Sequence, residues 1–358
     1  MIRKNLLYSV LAAFAVVAII VFLVPSPIEP AAWRPAPTPK QEGALRPNAL
    51  LADAELLGQG KLQQPEDIAF DEQGRLYAGN GGGTIQRFDP ERPNEVDSFA
   101  TTGGHPLGLQ FDGAGNLIAA VKEVGLLSIT PDGTTTVLTD RAGDAPITYA
   151  NEVAISAAGT IYFTDSSTKF DLGWPFDILE AKPYGRLLSY DPRSKTTAVL
   201  LDGLYFPNGV VLSAEENYLL LSETSRYRIL RYWLSGPKAG TTDVFADNLP
   251  NLPDNLSMDA NGDVWVGGSQ RIGLVDFLQP RPFLKKQLAK LPYGLLKKIP
   301  TLKKRGYALR LGPDGTVEQA YYDPVGNVYG ISSVVRKGDA LYLGTLFGDA
   351  IGRYRLEE

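Results

Sequence analysis

Six segments of the chain repeat one pattern, in which a polar residue, a short alternating apolar run and a Gly or Asn turn precede a second alternating strand. Alternation on both sides of such a turn is typical of a β-hairpin. The turn residues are Gly74, Gly115, Gly159, Asn217, Gly262 and Gly338. Because units of about 40–50 residues with four short strands are characteristic of propeller blades, the sequence predicts an all-β, six-bladed β-propeller over residues 49–358. Residues 50–57 are expected to add the strand that closes the ring beside the last blade.

Two of the spacings between turns are longer than the others and predict insertions near residues 168–185 and 276–306. The second insertion is basic and has no acidic residue between Asp276 and Asp314. Its apolar residues recur at helical spacing, interrupted by Pro292 and Pro300, which predicts short helices. Two interpretations stay open. The insertion is either a flap at the channel mouth that also touches anionic lipid headgroups, or a segment packed on its own propeller with a solvated basic face.

Composition excludes several kinds of chemistry. The 358 residues include no Cys, which rules out disulfides, thiolate nucleophiles, Cys-zinc sites and iron–sulfur clusters. A Ser-His dyad would have to use His105, since it is the single histidine. The net charge of -5 argues against nucleic-acid binding.

The N-terminus predicts a membrane anchor over residues 1–24. Arg3 and Lys4 precede an uncharged apolar stretch, residues 6–24, which as a helix is nearly long enough to cross a bilayer core. A cleaved signal peptide is the alternative, with Ala31-Ala32 as the candidate small-residue site. The positive-inside rule places the rest of the chain on the extracytoplasmic side, which is periplasmic, extracellular or lumenal. The proline-rich residues 25–48 are predicted to form an extended linker.

Aligning the repeats predicts a metal site. Equivalent positions of successive blades are related by rotation about the central channel, so their side chains converge on one axis. The first such column holds Glu66, Leu107, Asn151, Asn208, Asp254 and, less securely, Tyr329. The next column holds Asp67, Gly108, Glu152, Gly209, Asn255 and Gly330.

Oxygen donors of this kind suit Ca²⁺ and, less specifically, Mg²⁺ or Mn²⁺. The predicted metal ligands are Glu66, Asn151, Asn208, Asp254 and Asn255. The alternative is that these polar residues begin turns and cap their own hairpins.

Four motifs resemble the strictosidine synthase-like family, which is related more distantly to paraoxonases and gluconolactonases. They begin at Tyr149, Phe206, Pro253 and Leu341, and read Tyr-Ala-Asn-Glu-Val, Phe-Pro-Asn-Gly-Val, Pro-Asp-Asn-Leu and Leu-Tyr-Leu-Gly-Thr-Leu. The resemblance covers about residues 50–356 and implies a six-bladed propeller with a catalytic Ca²⁺ in its channel. Carried over residue by residue, the paraoxonase calcium ligands fall on Glu66, Asn151, Asn208, Asp254 and Asn255.

Departures from the relatives limit the expected activity. The glutamate that strictosidine synthase uses for Pictet–Spengler condensation falls near Ser332, and Ile331 and Ser333 supply no carboxylate, which disfavours that reaction. Leu107 occupies the position of the first histidine of the paraoxonase pair, and His105 is expected to be a loop histidine. The gluconolactonase relatives imply Asp254 as the base.

The sequence therefore favours a membrane-anchored, metal-dependent hydrolase of small-molecule esters or lactones. Asp254, or Glu152 in the neighbouring column, would activate water as a general base, although the sequence favours Glu152 as a supporting or solvent-facing acid. The competing hypothesis is a non-catalytic propeller that holds a structural metal and binds a partner. Three aromatic residues of the first insertion are candidates to line the substrate mouth or to pack the fold: Trp174, Phe176 and Tyr184.

Overall fold

The fold is built from six four-stranded antiparallel sheets arranged around a channel, as seen in a computed structural model that describes residues 22–170, 173–299 and 304–356. In five of the sheets the strands pair in chain order. The first strands of successive blades contact one another and therefore line the channel. The predicted six-bladed β-propeller is confirmed.

Strand β1 (Glu55–Leu57) is separated from the blade it joins by almost the whole chain. The first two blades and a small hairpin that follows them are β2 (Ile68–Phe70), β3 (Leu76–Asn80), β4 (Thr84–Phe88), β5 (Asp97–Thr101), β6 (Pro106–Phe111), β7 (Leu117–Val121), β8 (Gly125–Ile129), β9 (Thr135–Thr139), β10 (Arg141–Ala142) and β11 (Ala145–Pro146). The third and fourth blades are β12 (Ala150–Ile155), β13 (Ile161–Asp165), β14 (Gly185–Asp191), β15 (Thr196–Leu204), β16 (Pro207–Leu212), β17 (Tyr218–Glu223), β18 (Arg228–Trp233) and β19 (Thr242–Ala246). The last two blades are β20 (Leu256–Met258), β21 (Val264–Val266), β22 (Gly306–Leu311), β23 (Val317–Asp323), β24 (Ile331–Lys337), β25 (Ala340–Thr345) and β26 (Ile351–Arg355).

The ring is closed by β1, which pairs with β26 and completes the sixth sheet in the order β1-β26-β25-β24. This confirms the closing strand expected within residues 50–57. The Arg353 guanidinium holds the junction through an ion pair of 2.7 Å with Glu55. Apolar side chains of the first and last blades also share one core cluster, in which Leu76 packs with Ala340 and Leu57. Loss of the closing strand would expose this core.

The turns of the hairpins have the backbone conformation that the repeat predicts. Gly74 and Gly115, for example, have φ values of 80° and 81°, which favour glycine. The fourth blade differs, because the positive φ there belongs to Glu216 rather than to the predicted turn residue Asn217.

Four short helices form a cap over one end of the channel. Helix α1 (Trp174–Glu180) lies in the first insertion, and α2 (Gly273–Leu278), α3 (Pro282–Leu288) and α4 (Tyr293–Leu296) lie in the second. Both predicted insertions are therefore present, and the second is helical as expected. Its helices begin at Gly273, a few residues before the predicted start.

The proline-rich segment, predicted as an extended linker, has no regular secondary structure apart from one 3-10 turn at Gly43–Leu45, and it lies against the cap. The Ala31 amide donates to the carbonyl of Glu180 at 2.8 Å, and the Trp33 amide donates to that of Gln279 at 3.1 Å. Almost all of the predicted anchor, residues 1–24, lies outside the described residues. Among the residues that are described, no helix has the length and apolar character needed to cross a bilayer.

Candidate metal centre and substrate pocket

A pocket opens at the cap end of the channel, where the first strand of each blade begins. Four of the five predicted ligands line it: Glu66, Asn151, Asn208 and Asp254. Asn255, the fifth, lies next to Asp254 with only 2 % of its surface exposed. The structure thus brings together the side chains of Glu66 and Asp254, the first and last of these four ligands, which are 188 residues apart in sequence.

β-Bulges in the first strands position the polar side chains. The pairing of β12 with β13 shifts register between Ala150 and Val153, and Asn151 lies within this bulge. The pairing of β16 with β17 shifts in the same way around Asn208. Because a bulge turns a side chain out of the regular alternation, it aims these amides towards the channel mouth.

The sixth blade corrects the predicted column. Its bulge lies between Ile331 and Ser333, so the residue equivalent to Asn151 is Ser332 and not Tyr329. Tyr329 precedes the strand, and its hydroxyl donates to the carbonyl of Phe347 at 3.0 Å. The sequence alignment failed here because Ser332 lies only 6 positions before its turn residue Gly338, whereas Asn151 lies 8 positions before Gly159.

Each of the five predicted ligands has a buried side-chain oxygen without a hydrogen-bond partner in the described structure. These atoms are Glu66 Oε2, Asn151 Oδ1, Asn208 Oδ1, Asp254 Oδ1 and Asn255 Oδ1. A buried polar atom left without a partner costs about 1–3 kcal/mol. Because carboxylate and amide oxygens are the ligands that Ca²⁺ prefers, the donor set fits a hard divalent cation.

The composition of this centre is two carboxylates and three amides. Within the described ranges there is no group of three or more His, Cys, Asp or Glu side chains that could hold a metal. A site for a transition metal with nitrogen or sulfur ligands is therefore not found in this part of the chain.

The electrostatics of the pocket also favour a cation. Burial, followed by the charge of Asp254, raises the pKa of Glu66 well above its usual range. Burial raises the pKa of Asp254 to about 7, although a hydrogen bond from Asn208 acts in the opposite direction. Two carboxylates that resist ionisation together would be stabilised in their charged forms by a bound cation.

Hydroxyl groups from the preceding blade hold the backbone of three ligand residues. Thr164 donates to the Asn208 carbonyl at 2.6 Å, and Ser222 donates to the Asp254 carbonyl at 2.7 Å. Ser332 donates to the Glu66 carbonyl at 2.6 Å, which joins the sixth blade to the first. These bonds fix where each ligand residue lies without using its side-chain oxygens.

Glu152 lies in a second layer, deeper in the channel, and does not line the pocket. Its Oε1 accepts a hydrogen bond from the Val153 amide at 2.8 Å. A Cβ on Gly108 would lie 2.6 Å from the same oxygen, so the glycine makes room for this carboxylate. Burial and then the charge of Asp67 raise the pKa of Glu152 well above its usual range. This placement favours Asp254 over Glu152 as the acid next to a substrate.

His105 lies at the wider vestibule beside the pocket, which it lines together with Glu66. Its Nε2 lies 3.3 Å from the Gln64 carbonyl. Burial lowers the pKa of His105 to about 4, so its imidazole is neutral at pH 7.

The other wall of the pocket is apolar, and sequence reasoning found only part of it. Trp174 lines the pocket as expected. By contrast, Phe176 packs between Phe170 and Tyr293, and the Tyr184 hydroxyl donates to Glu180 Oε1 at 2.5 Å. The lining residues that the sequence analysis missed include Phe206, Thr224, Leu252, Ser269, Ile272, Leu346 and Phe347.

Several of the missed residues share a position that could have identified them. Thr224, Ser269 and Leu346 follow the second strands of the fourth, fifth and sixth blades. A second strand returns to the end of the channel where the first strand began, so the residues after it reach the pocket. Phe206, directly before Pro207, has a φ of 52°, and strained backbone of this kind is concentrated at functional sites, but only the structure reveals it.

Comparison with solved structures places this architecture among known six-bladed proteins. A gluconolactonase from Xanthomonas campestris aligns with a TM-score of 0.63 and 18% identity, covering 93% of this chain and 97% of its own. A calcium-binding regucalcin from Agrobacterium tumefaciens aligns with a TM-score of 0.58 and 13% identity, covering 84% and 93%. At these identities the similarity shows the fold. The class is thus a six-bladed propeller with a polar pocket at the end of its channel.

Sequence relatives identify the family. The strictosidine synthase family model matches residues 151–237, and the strictosidine synthase-like N-terminal model matches residues 43–88. Strictosidine synthase-like protein 6 of Arabidopsis thaliana is 37% identical, over 86% of this chain and 82% of its own. The adipocyte plasma membrane-associated protein of Bos taurus is 32% identical, over 98% and 90%. The chain belongs to the strictosidine synthase-like family.

Proposed function

We propose that this protein is a membrane-anchored hydrolase of small-molecule esters or lactones that depends on a divalent cation, with Ca²⁺ preferred over Mg²⁺ or Mn²⁺. The single observation that carries the proposal is the set of five buried oxygens without partners, one on each predicted ligand. The gluconolactonase and the calcium-binding regucalcin with the same fold support it.

The reaction adds water to the carbonyl carbon, breaks the bond from that carbon to the alcohol oxygen, and yields an acid and an alcohol. A bound cation would supply Lewis-acid stabilisation of the developing oxyanion. Glu66, Asn151, Asn208, Asp254 and Asn255 would hold the cation. Asp254 is the candidate base, since its carboxyl group lines the pocket.

The aromatic wall would orient the substrate. The rings of Tyr149 and Phe206 pack edge to face, with centroids 5.4 Å apart, and both line the pocket together with Trp174. Their apolar surfaces would help a bound substrate to exclude water from this side of the pocket. Exclusion of bulk water strengthens every electrostatic interaction at such a site.

The proposed location is the extracytoplasmic surface of a membrane, with residues 1–24 as the anchor. The adipocyte plasma membrane-associated relatives support membrane association. The cap carries basic residues next to exposed apolar ones, Phe283 being 54% exposed beside Lys286. We propose that this face contacts anionic lipid headgroups.

Hydrogen exchange of the full chain in nanodiscs tests the lipid contact. Residues 282–296 should exchange more slowly in nanodiscs that contain phosphatidylserine than in those of phosphatidylcholine alone. Equal exchange in the two kinds of nanodisc would contradict the contact.

Hydrolysis of phenyl esters and γ-lactones by the full chain tests the activity, with and without a chelator. Chelation should remove the activity, and Ca²⁺ should restore it. Asp254→Asn should lower turnover by about 100-fold or more, as expected for loss of a general base. Asp247→Asn is the matched control, because Asp247 is an exposed aspartate away from the pocket. Activity that survives both chelation and Asp254→Asn would contradict the proposal.

A non-catalytic propeller with a structural metal is the second candidate. It is favoured by Ser332, which holds the Glu66 backbone where strictosidine synthase has its catalytic glutamate. Metal binding that stabilises the fold, without turnover of any ester or lactone, would favour this alternative.

A further inference from the structure

A narrow slot runs between α1 of the first insertion and α2–α4 of the second, beside the pocket. All of the side chains that line it are apolar: Trp174, Pro175, Ile178, Leu179, Leu252, Ile272, Leu274, Val275, Leu278, Leu288, Leu296 and Ile299. Apart from the indole N–H of Trp174, these side chains offer a ligand no hydrogen bonds. The slot therefore suits a hydrocarbon group.

The slot is continuous with the pocket over the candidate metal centre. Trp174, Ile178, Leu252 and Ile272 line both spaces. A molecule that occupies both would have its polar end at Glu66 and Asp254 and its apolar end among the cap helices.

The slot reaches the surface on the apolar face of the cap. Leu274 lines the slot and is 50% exposed. Phe277 and Phe283 are exposed on the same group of helices. The Phe283 ring lies 5.7 Å from that of Phe22, near the end of the apolar N-terminal stretch of residues 6–24.

The proline-rich segment fixes this arrangement. Lys285 is fully buried, and its Nζ donates to the Ala31 carbonyl at 2.6 Å and to Gln279 Oε1 at 3.1 Å. The Trp33 ring packs against Tyr227 with centroids 5.4 Å apart. The end of the proposed anchor is thereby held beside the cap, so the slot opens on the side where the bilayer would lie.

We propose that the slot binds the unbranched hydrocarbon chain of an amphiphilic ester or lactone, which enters from the membrane and presents its carbonyl group at the pocket. This inference rests on the proposed hydrolase function and adds the substrate class. Burial of each methylene group favours binding about fourfold, so a chain-length preference is the expected consequence.

The first experiment compares 4-nitrophenyl octanoate with 4-nitrophenyl acetate, using the full chain in detergent micelles. The wild-type kcat/KM should be at least tenfold higher for octanoate. Val275→Phe fills the slot without altering a residue that lines the metal pocket, and it should bring this ratio close to one. Leu274→Gln should lower the ratio as well, and because Leu274 is half-exposed this variant is expected to fold.

Leu295→Gln is the matched control, since Leu295 is 56% exposed on the cap and does not line the slot. It should leave the ratio as in the wild type. A wild type without chain-length preference, or an equal loss of preference in the control, would overturn the proposal.

The second experiment does not depend on turnover and so separates failure of the slot from failure of the hydrolase. A photoreactive octanoic acid with a terminal diazirine is cross-linked to the full chain in the presence of chelator, and the labelled peptides are mapped. Labels should fall on peptides within 174–179 and 272–299, and Val275→Phe should abolish them. If no ester is hydrolysed but this labelling is found, the slot is supported and the hydrolase is not. Labelling without any chain-length preference in an active enzyme would mean that the slot holds only a lipid acyl chain, which contradicts the substrate role.

Discussion

The floor and the roof of the pocket are built in different ways. The floor comes from the starts of repeated first strands, which rotation about the channel brings to one height, and it ends in carboxylate and amide oxygens. The roof comes from two insertions of unequal length, whose helices present apolar side chains. The difference teaches that the repeated strands of a propeller can supply the polar residues of a site. The insertions, which are not repeated, can supply the apolar surface that a substrate contacts.

The two regions also differ in how their buried polar groups are satisfied. In the floor, all five predicted ligands have an oxygen without a partner. In the roof, the buried ammonium of Lys285 contacts the Ala31 carbonyl and Gln279 Oε1, and Gln279 Nε2 donates to the Ile178 carbonyl at 3.0 Å. Each predicted ligand of the floor thus has an oxygen without a partner, whereas Lys285 and Gln279 in the roof are bonded to one another and to the backbone. Elsewhere in the cap, Asp177 Oδ1 and Gln287 Oε1 also lack partners in the described structure.

Metal removal is the largest test of this contrast. If the proposed function is right, Ca²⁺ added to the chelated full chain should raise the midpoint of thermal unfolding, because the proposed site exists in the folded floor and not in the unfolded chain. When the free Ca²⁺ concentration is a hundredfold above the dissociation constant, the free energy of unfolding should rise by about 2.7 kcal/mol. Differential scanning calorimetry measures it. Glu66→Gln should reduce this rise in the midpoint. If Ca²⁺, Mg²⁺ and Mn²⁺ all leave the midpoint of the wild type unchanged, the contrast between floor and roof is wrong.

Ser222→Ala tests whether residues that hold the ligand backbone also contribute to metal binding. Removal of the hydroxyl that holds the Asp254 carbonyl should weaken metal binding by about 10–100-fold, as for other groups that orient ligands. Isothermal titration with Ca²⁺ measures this. Thr197→Ala removes a bond between the outer strands of two blades, from the Thr197 hydroxyl to the Thr139 hydroxyl at 2.8 Å, away from the ligands. The control should lose stability but keep its affinity for Ca²⁺. If the two variants bind Ca²⁺ equally well, Ser222 has a structural role alone.

Lys285→Met is the smallest of the three tests and acts on the roof. It leaves the Ala31 carbonyl and Gln279 Oε1 without their donor, which should destabilise the docked proline-rich segment by about 1–3 kcal/mol. Hydrogen exchange over residues 28–38 should become faster. Lys286→Met is the control, since Lys286 is exposed on the same helix. Calcium affinity should stay unchanged in both variants, and a large loss in Lys285→Met would mean that roof and floor are not separate.

Much of the floor could be predicted from sequence, because the repeat supplies its own alignment. Asn151 and Asn208 occupy the same place in successive units, and equal places in a rotating repeat must meet at the axis. The prediction failed at Tyr329, since the bulge around Ser332 sets the register there and a bulge leaves no clear trace in the alternation. The sequence analysis put Glu152 in the column next to that of Asn151. It could not show that the bulged strand turns the Glu152 carboxylate into the deeper layer.

The sequence by itself determined the number of blades, the closing strand and the polar residues of the channel, because period and alternation are local properties of the chain. Only the tertiary structure decided that the proline-rich segment docks on the cap, that Lys285 is buried rather than solvated, and that an apolar slot joins the pocket. These features depend on contacts such as that between Ala31 and Lys285, 254 residues apart, and no local pattern encodes which distant surfaces will pack together.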